Sequence, residues 1–384
     1  MAAGCVDSVN HPEKQRSSLT PRVGYALVVG LVLTAIALAS PLPDRVTDRG
    51  VYEATAAAIV VPDCGDLHCF RALVPWIVGR LPGPSVIRWK LYAAVGNAAA
   101  SLAMFQLAVT LGLTTRAAWF ASTISAFGFG ALYTLHDPFT ADPMMFALGP
   151  LLTNELFARR LWVAAAVASI GVLAKEFAAA PLYLFAGYAA LERRWPEVGR
   201  VLAGANAALI VWLVFTLSLM IHFNYSYGGS ESANLASGAG LLPWLQRQSL
   251  RGISFAMFNE FGALYVLAPV GWVLAARGLR LLTVAAIPVA LVLAYVQQPD
   301  RALWNFHFIA APLAAVTLDR VDATLAAATV TTYVVGNLRV GAQLPIAQLA
   351  LGAVVSSLGL ALLCAAGALR GGLSVPLPRH QATS

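Results

Sequence analysis

Charge is scarce in this sequence. Asp, Glu, Lys and Arg make up 11% of its 384 residues, against about 25% in an ordinary soluble chain. That shortage excludes a typical water-soluble domain and a charge-rich disordered chain. There is no Gly-Lys-Ser/Thr phosphate loop and no Rossmann glycine fingerprint, so these two nucleotide-binding devices are ruled out. No internal repeat of the kind that marks many transporters is visible. The connections between apolar runs reach only about 30–40 residues, too short for a separate soluble domain.

What fills the chain instead is apolar: hydrophobic residues make up 59%. Many runs approach the roughly 20 residues a helix needs to cross a bilayer. The expected fold is an all-α polytopic bundle of about twelve spans, with short re-entrant or juxtamembrane helices on the outer face. The expected divisions are a cytoplasmic tail at 1–22, a transmembrane domain at 23–369 whose outer loop covers 41–87, and a cytoplasmic tail at 370–384. Ala37-Leu38-Ala39 has the look of a signal-peptidase site, but the long polar leader and the later spans favour a retained anchor with its N-terminus inside.

Stretch 162–191 admits two readings. As one helix it would be about 45 Å long, too long for the hydrocarbon core without steep tilt. As two arms it turns at Lys175-Glu176. The two-arm reading keeps Arg193, Arg194 and Arg200 inside, and the inner segments then hold the whole net charge of +7, as the positive-inside rule requires. The positive balance therefore reflects cytoplasmic loops and does not indicate a nucleic-acid partner. The working face is expected to be extracytoplasmic, on a bacterial inner membrane.

The stretch 46–75 packs unusual polarity into one outer loop. Asp48 and Tyr52 lie four apart and share a helix face; Glu53 points about 140° further round. An acid placed there can deprotonate a hydroxyl, or simply balance Arg45 and Arg49. Cys64 and Cys69 flank Gly-Asp-Leu-His and can close a disulfide in an oxidising compartment, or stay free; His68 between them lacks enough partners for a metal site. Cys5 reads as a reduced cytoplasmic thiol and Cys364 as a buried small hydrophobe. Arg71 precedes Leu73 and Pro75 at a membrane boundary, where a guanidinium can grip phosphate or snorkel.

Further along, Asp137 and Asp142 each precede a proline. Such a pair can bind a divalent cation if other oxygens join; Asp142 also suits the N-cap of the next span. Lys175 and Glu176, flanked by apolar runs, are costly and mark a site, or form a mutual ion pair at a hairpin tip. Arg301 stands before Trp304, Phe306, His307 and Phe308, a cation beside an aromatic belt.

Taken in order, Asp48-x3-Tyr52, Arg71-x-Leu73-x-Pro75, Asp142-Pro143, Leu173-Ala174-Lys175-Glu176 and Asp300-Arg301 resemble the GT-C superfamily of polytopic membrane glycosyltransferases, over roughly residues 20–317. Asp48 is followed by Arg49, so the acidic doublet of many members is absent. The resemblance implies a polyprenyl-phosphate-linked sugar donor and a lipid, glycan or protein acceptor, with Asp48 as the base. Arg71, Lys175 and Arg301 would hold the donor phosphate. Tyr52, Glu53, Asp137, Asp142, Glu176 and His307 complete the expected substrate-binding set. No cofactor is assigned; a divalent cation at Asp137 and Asp142 stays an open alternative to their role as turn and cap residues. A transporter or flippase of a lipid-linked substrate, and a non-catalytic scaffold, are the competing readings; a flippase would need a continuous polar path at mid-membrane, which the sequence does not display.

Overall fold

The computed structural model describes residues 19–44, 48–226, 240–296 and 299–374. All regular structure among them is helical. Helix α1 (Leu19–Ala39) is followed by a connecting segment, which folds as α2 (Arg49–Ala58), a 3-10 turn (Leu67–Phe70) and α3 (Leu73–Gly79). Then come α4 (Ser85–Thr110), α5 (Thr115–Ala126), α6 (Phe129–His136), α7 (Asp142–Phe157) and α8 (Leu161–Gly171). After a 3-10 turn at Glu176–Ala179 the chain continues through α9 (Ala180–Leu191), α10 (Trp195–Phe223), α11 (Leu241–Arg247), α12 (Leu250–Phe261) and α13 (Leu264–Leu274). The last elements are α14 (Arg277–Val296), α15 (Pro299–Trp304), α16 (His307–Leu318), α17 (Ala323–Val340) and α18 (Ala347–Ser374). The last helix thus runs past the expected domain end at 369.

Among the described residues, six helices are long and apolar enough to cross a membrane, or seven if α12 and α13, bent by 96° at their junction, count as one broken span. About twelve were expected, and the difference lies in short apolar helices such as α8, α9 and α16. Helix α16 shows the reason. Every residue from His307 to Leu318 except Val316 is buried. A helix that is apolar all round can be sheathed by protein instead of lipid, and hydropathy does not tell the two apart.

Helices α8 and α9 form the hairpin of the two-arm reading. A Cβ at Gly204 of α10 would meet Leu161 and Ala165 of one arm and Leu182 of the other, so the arms lie side by side against α10. Their tip carries Lys175 and Glu176; their open end carries Arg159, Arg193 and Arg194.

Buried polar side chains tie the connecting segment to the bundle and the bundle helices to one another. After α1, Lys90 Nζ donates to the Ser40 carbonyl at 2.6 Å and His136 Nδ1 lies 2.6 Å from the Pro41 carbonyl. Asn97 of α4 donates to the Ala131 carbonyl and Thr134 Oγ1 of α6, both at 2.9 Å. A hydrogen bond between such groups, with no water to compete, fixes relative position more firmly than apolar contact does. Helix α1 itself lays Val29, Leu33 and Ala37 against Ala93 and Ala94 of α4.

The tightest helix contact lies at α13 and α16. A Cβ on Gly271 would overlap the Leu313 carbonyl oxygen, and Thr317 Oγ1 donates across the same contact to the Leu267 carbonyl at 2.8 Å. Small residues permit such close backbone approach between membrane helices. Gly271→Ala is therefore expected to destabilise the detergent-solubilised protein by about 1–3 kcal/mol through overpacking. Gly199→Ala, with nothing within 4 Å of the added carbon, should leave the unfolding transition unchanged or slightly raised.

Candidate active site

Helix α2 starts at Arg49, and Asp48 is its N-cap residue without capping it through the side chain. Tyr52 N donates to the Asp48 carbonyl at 3.1 Å, which sets the two residues one turn apart. The Asp48 carboxylate turns to His68, with Oδ2 3.3 Å from Nε2. On the other side of the ring, Asp66 Oδ1 lies 2.7 Å from Nδ1 and also accepts the His68 backbone N–H at 2.8 Å. A carboxylate at each ring nitrogen fixes the orientation of the buried imidazole.

The loop that carries His68 is held on two sides. Cys64 and Cys69 are joined as a disulfide. The loop then docks on the end of α10: Asp63 N donates to the Phe223 carbonyl and Ser226 N to the Cys64 carbonyl, both at 3.0 Å. Asn224 Nδ2 donates to Asp63 Oδ1 at 2.7 Å, Val61 N donates to Tyr225 Oη at 3.0 Å, and Phe70 meets Tyr225 edge-on. Asn224 takes a left-handed conformation, φ 55°, which asparagine tolerates better than most residues and which ends α10 at the loop.

Tyr52 is 1% exposed, wedged edge-on against Trp89 with ring centroids 5.5 Å apart, and accepts a hydrogen bond from Arg71. Burial pushes its phenol well above the ordinary value, Arg71 opposes, and the charges of Asp142 and Asp48 add to the rise. Arg71 forks onto Glu176, with Nη2 to Oε1 at 3.0 Å and Nε to Oε2 at 3.4 Å. Burial works against the guanidinium charge, but Glu176 and Tyr52 outweigh it and hold the group protonated. For Glu176, burial raises the carboxyl, yet Arg71 and Lys175 overcome this and leave it below its ordinary value.

Lys175 lies next to Glu176 in sequence but serves a different partner: its Nζ is 2.5 Å from Asp142 Oδ1, and the two side chains are 4% and 7% exposed. The mutual Lys175–Glu176 pair considered from sequence is not what forms. Lys175 sits in extended backbone, φ −163° and ψ 133°, and neighbouring side chains of an extended strand point to opposite sides. One therefore reaches α7 and the other the segment between α1 and α4. A backbone bond from Leu73 N to the Leu173 carbonyl, 3.0 Å, closes the same junction. The N-cap role expected of Asp142 is also corrected: Ala141 is the N-cap of α7, and Asp142 is its first residue with its carboxylate turned to Lys175.

Asp48, Tyr52, Arg71, Asp142, Lys175 and Glu176 thus form one electrostatically linked group. Other expected residues stand outside it. Glu53 accepts from Arg49 at 3.1 and 3.3 Å and from Ser85 Oγ at 2.6 Å; burial raises its carboxyl, but these bonds leave it below the ordinary value. Asp137 is half-buried at the C-cap of α6. His307 is buried at the start of α16, packed on Phe261 at 5.3 Å and bonded to the Glu260 backbone. The side chain of Arg301 lies outside the described residues. Among the described residues, no group of three or more His, Cys, Asp or Glu is placed to hold a metal ion.

His68 is the residue that sequence reasoning passed over. Its position between two cysteines was visible, and so was Asp66 two places before it. Its contact with Asp48 depends on a loop closure that no local pattern displays.

No family model matches the sequence, and no curated protein matches it. Among solved structures, ArnT from Cupriavidus metallidurans in the apo state is similar over 92% of this chain and 77% of that one, with a TM-score of 0.55 at 14% identity. The apo oligosaccharyltransferase of Archaeoglobus fulgidus is similar over 90% of this chain and 56% of that one, with a TM-score of 0.48 at 12% identity. The chain has the GT-C fold, on the strength of the likeness to ArnT.

The buried pairs generate a stability test. Lys175→Met takes the counter-charge from the Asp142 carboxylate, and losing one partner of a buried pair costs about 3–5 kcal/mol. Adding Asp142→Leu should recover most of that loss, whereas adding Glu176→Leu should not, since Glu176 answers to Arg71. Chemical denaturation of the three variants in detergent separates the outcomes.

Proposed function

We propose that this membrane protein is a glycosyltransferase that moves a sugar from a polyprenyl-phosphate donor to a lipid, glycan or protein acceptor, on the extracytoplasmic face of a bacterial inner membrane. The observation that carries the reading is the gathering of Asp48 and Arg71 around Tyr52, with Lys175 brought in through Asp142. A carboxylate that can accept a proton and fixed N–H donors that can meet a phosphate suit a sugar transfer from phosphate.

In the proposed reaction, Asp48 accepts the proton of the acceptor hydroxyl. The hydroxyl oxygen attacks the anomeric carbon from the face opposite the phosphate, with inversion. The bond from that carbon to the phosphate oxygen breaks, and the electron pair leaves with the phosphate. Hydrogen-bond donors fixed in advance stabilise the departing anion without reorganisation. Arg71 spends two of its five N–H groups on Glu176 and one on Tyr52, and Lys175 one of three on Asp142, so donors remain for a phosphate. His68, clamped by Asp66, holds the Asp48 carboxylate in place.

Space for the lipid tail supports the same reading. An apolar cavity of about 540 Å³ opens between α12, α13, α14 and α16, lined by Phe261, Tyr265, Trp272, Ile287 and Leu313 among others. Phe306 lines it and also lines a smaller cavity bordered by Phe177, the neighbour of Glu176. An isoprenoid chain can lie in the larger cavity, with Phe306 standing between it and the side of the bundle that carries Phe177. The oxidising compartment suited to the Cys64–Cys69 bridge, and the arginines gathered at the opposite end of the α8–α9 hairpin, agree with an outward-facing site.

Reconstituted protein supplied with a panel of labelled polyprenyl-phosphate hexoses and pentoses tests the proposal. Asp48→Asn should lower turnover by about 10²–10⁴-fold with donor binding nearly unchanged. Glu53→Gln, whose carboxylate is engaged by Arg49 and Ser85, should stay near wild type. Wild-type turnover in Asp48→Asn alongside a dead Glu53→Gln would reassign the base, and transfer unaffected in both would remove the site.

A further inference from the structure

A second polar site lies at the other end of the α8–α9 hairpin, far along the bundle from Asp48 and independent of the transfer reaction. There a cavity of about 120 Å³ has an apolar floor of Leu161, Phe185 and Val201, with Arg159, Arg200 and Glu197 at its rim. It is much smaller than the roughly 300–1,000 Å³ of a site that encloses a whole small molecule. It can hold a head group and the first methylenes of a chain that continues along the outside of the bundle.

The charge at the rim is set by local structure. The turn between α7 and α8 puts Arg159 in left-handed backbone, φ 58°, and is fixed by Arg160, whose Nε lies 2.6 Å from Glu155 Oε2. That pairing occupies Arg160 and leaves the neighbouring Arg159 guanidinium exposed over the cavity. Arg200 uses only its Nε, on the Pro196 carbonyl at 3.2 Å. The acid at the rim, Glu197, is neutralised by Arg194 at 2.6 Å. Arg194 is in turn fixed over the ring of Tyr188. The rim therefore carries net positive charge from two guanidinium groups with donors to spare.

Two tryptophans fix the depth. Trp162, at the start of α8, is 79% exposed, and Trp195, at the start of α10, is 64% exposed. Exposed indole rings on a membrane protein sit at the head-group level. The cavity thus lies where lipid phosphates are, with apolar helix surface below it: Val163, Ile170 and Ile210 are all exposed.

The geometry points to a binding site for one anionic phospholipid, its phosphate held by Arg159 and Arg200 and its first methylenes on Leu161, Phe185 and Val201. Basic pockets between membrane helices select acidic head groups, at about 1 kcal/mol or about fivefold per Arg or Lys.

Native mass spectrometry of the full chain in mild detergent tests this, with phosphatidylglycerol and phosphatidylcholine of identical chains added separately. Wild type should retain one phosphatidylglycerol in preference to phosphatidylcholine. Arg159→Gln/Arg200→Gln should weaken that retention by about 25-fold, from about fivefold per charge. Arg159→Lys and Arg320→Gln, the latter an exposed arginine away from the cavity, should retain it as wild type does. Both rim side chains are exposed, so the exchanges leave packing intact. As a second readout, brominated phosphatidylglycerol should quench fluorescence that Trp162→Phe/Trp195→Phe removes, and the double arginine variant should lose the quenching. Equal retention of the two lipids by wild type, unchanged retention in the double variant, or displacement of the lipid by inorganic phosphate alone would each overturn the assignment.

Discussion

The Arg71–Glu176 fork is the contact on which the candidate site depends. It joins two segments 105 residues apart, and Arg71 also carries the hydrogen bond to Tyr52. Through Tyr52 it reaches the turn that presents Asp48; through Glu176 it fixes the extended residue that aims Lys175 at Asp142. Each charge in this group is costly to bury alone, and each is balanced by a partner from a different segment. The group therefore exists complete or is strongly destabilised, which gives this end of an otherwise apolar bundle one defined arrangement.

Much of this architecture is legible in the sequence, for physical reasons that can be named. The shortage of charge places the chain in a bilayer, and the placement of Arg193, Arg194 and Arg200 resolves 162–191 into two arms, which the packing of both against Gly204 bears out. The fourfold spacing of Asp48 and Tyr52 survives as a backbone hydrogen bond within one turn. The span count was not legible. Helix α16 is as apolar as a lipid-facing helix, yet it is short and wrapped in protein, and a composition window responds to both situations alike.

Partner choice was the other illegible part. Lys175 and Glu176 stand side by side in the sequence and look like a pair. The extended backbone at Lys175 sends them apart, and extended geometry at a break between helices is a tertiary property with little local signature. His68 is a similar case. Its ring is placed by Asp66 from two residues away, which is local, and by Asp48 from the preceding segment, which becomes visible only once the loop has folded back and docked on the end of α10.

That docking has a consequence for how the chain is made. The loop bearing His68 rests on residues 223–226, Arg71 on Glu176 and Asp142 on Lys175. A nascent chain that has inserted only its first helices carries Arg71 and Asp142 into place before their counter-charges have been synthesised. It must keep those groups in water at the membrane surface until the α8–α9 hairpin and α10 have followed. Assembly of this end of the bundle therefore follows the order of synthesis, and a chain truncated ahead of Lys175 carries Arg71 and Asp142 without Glu176 and Lys175 to meet them.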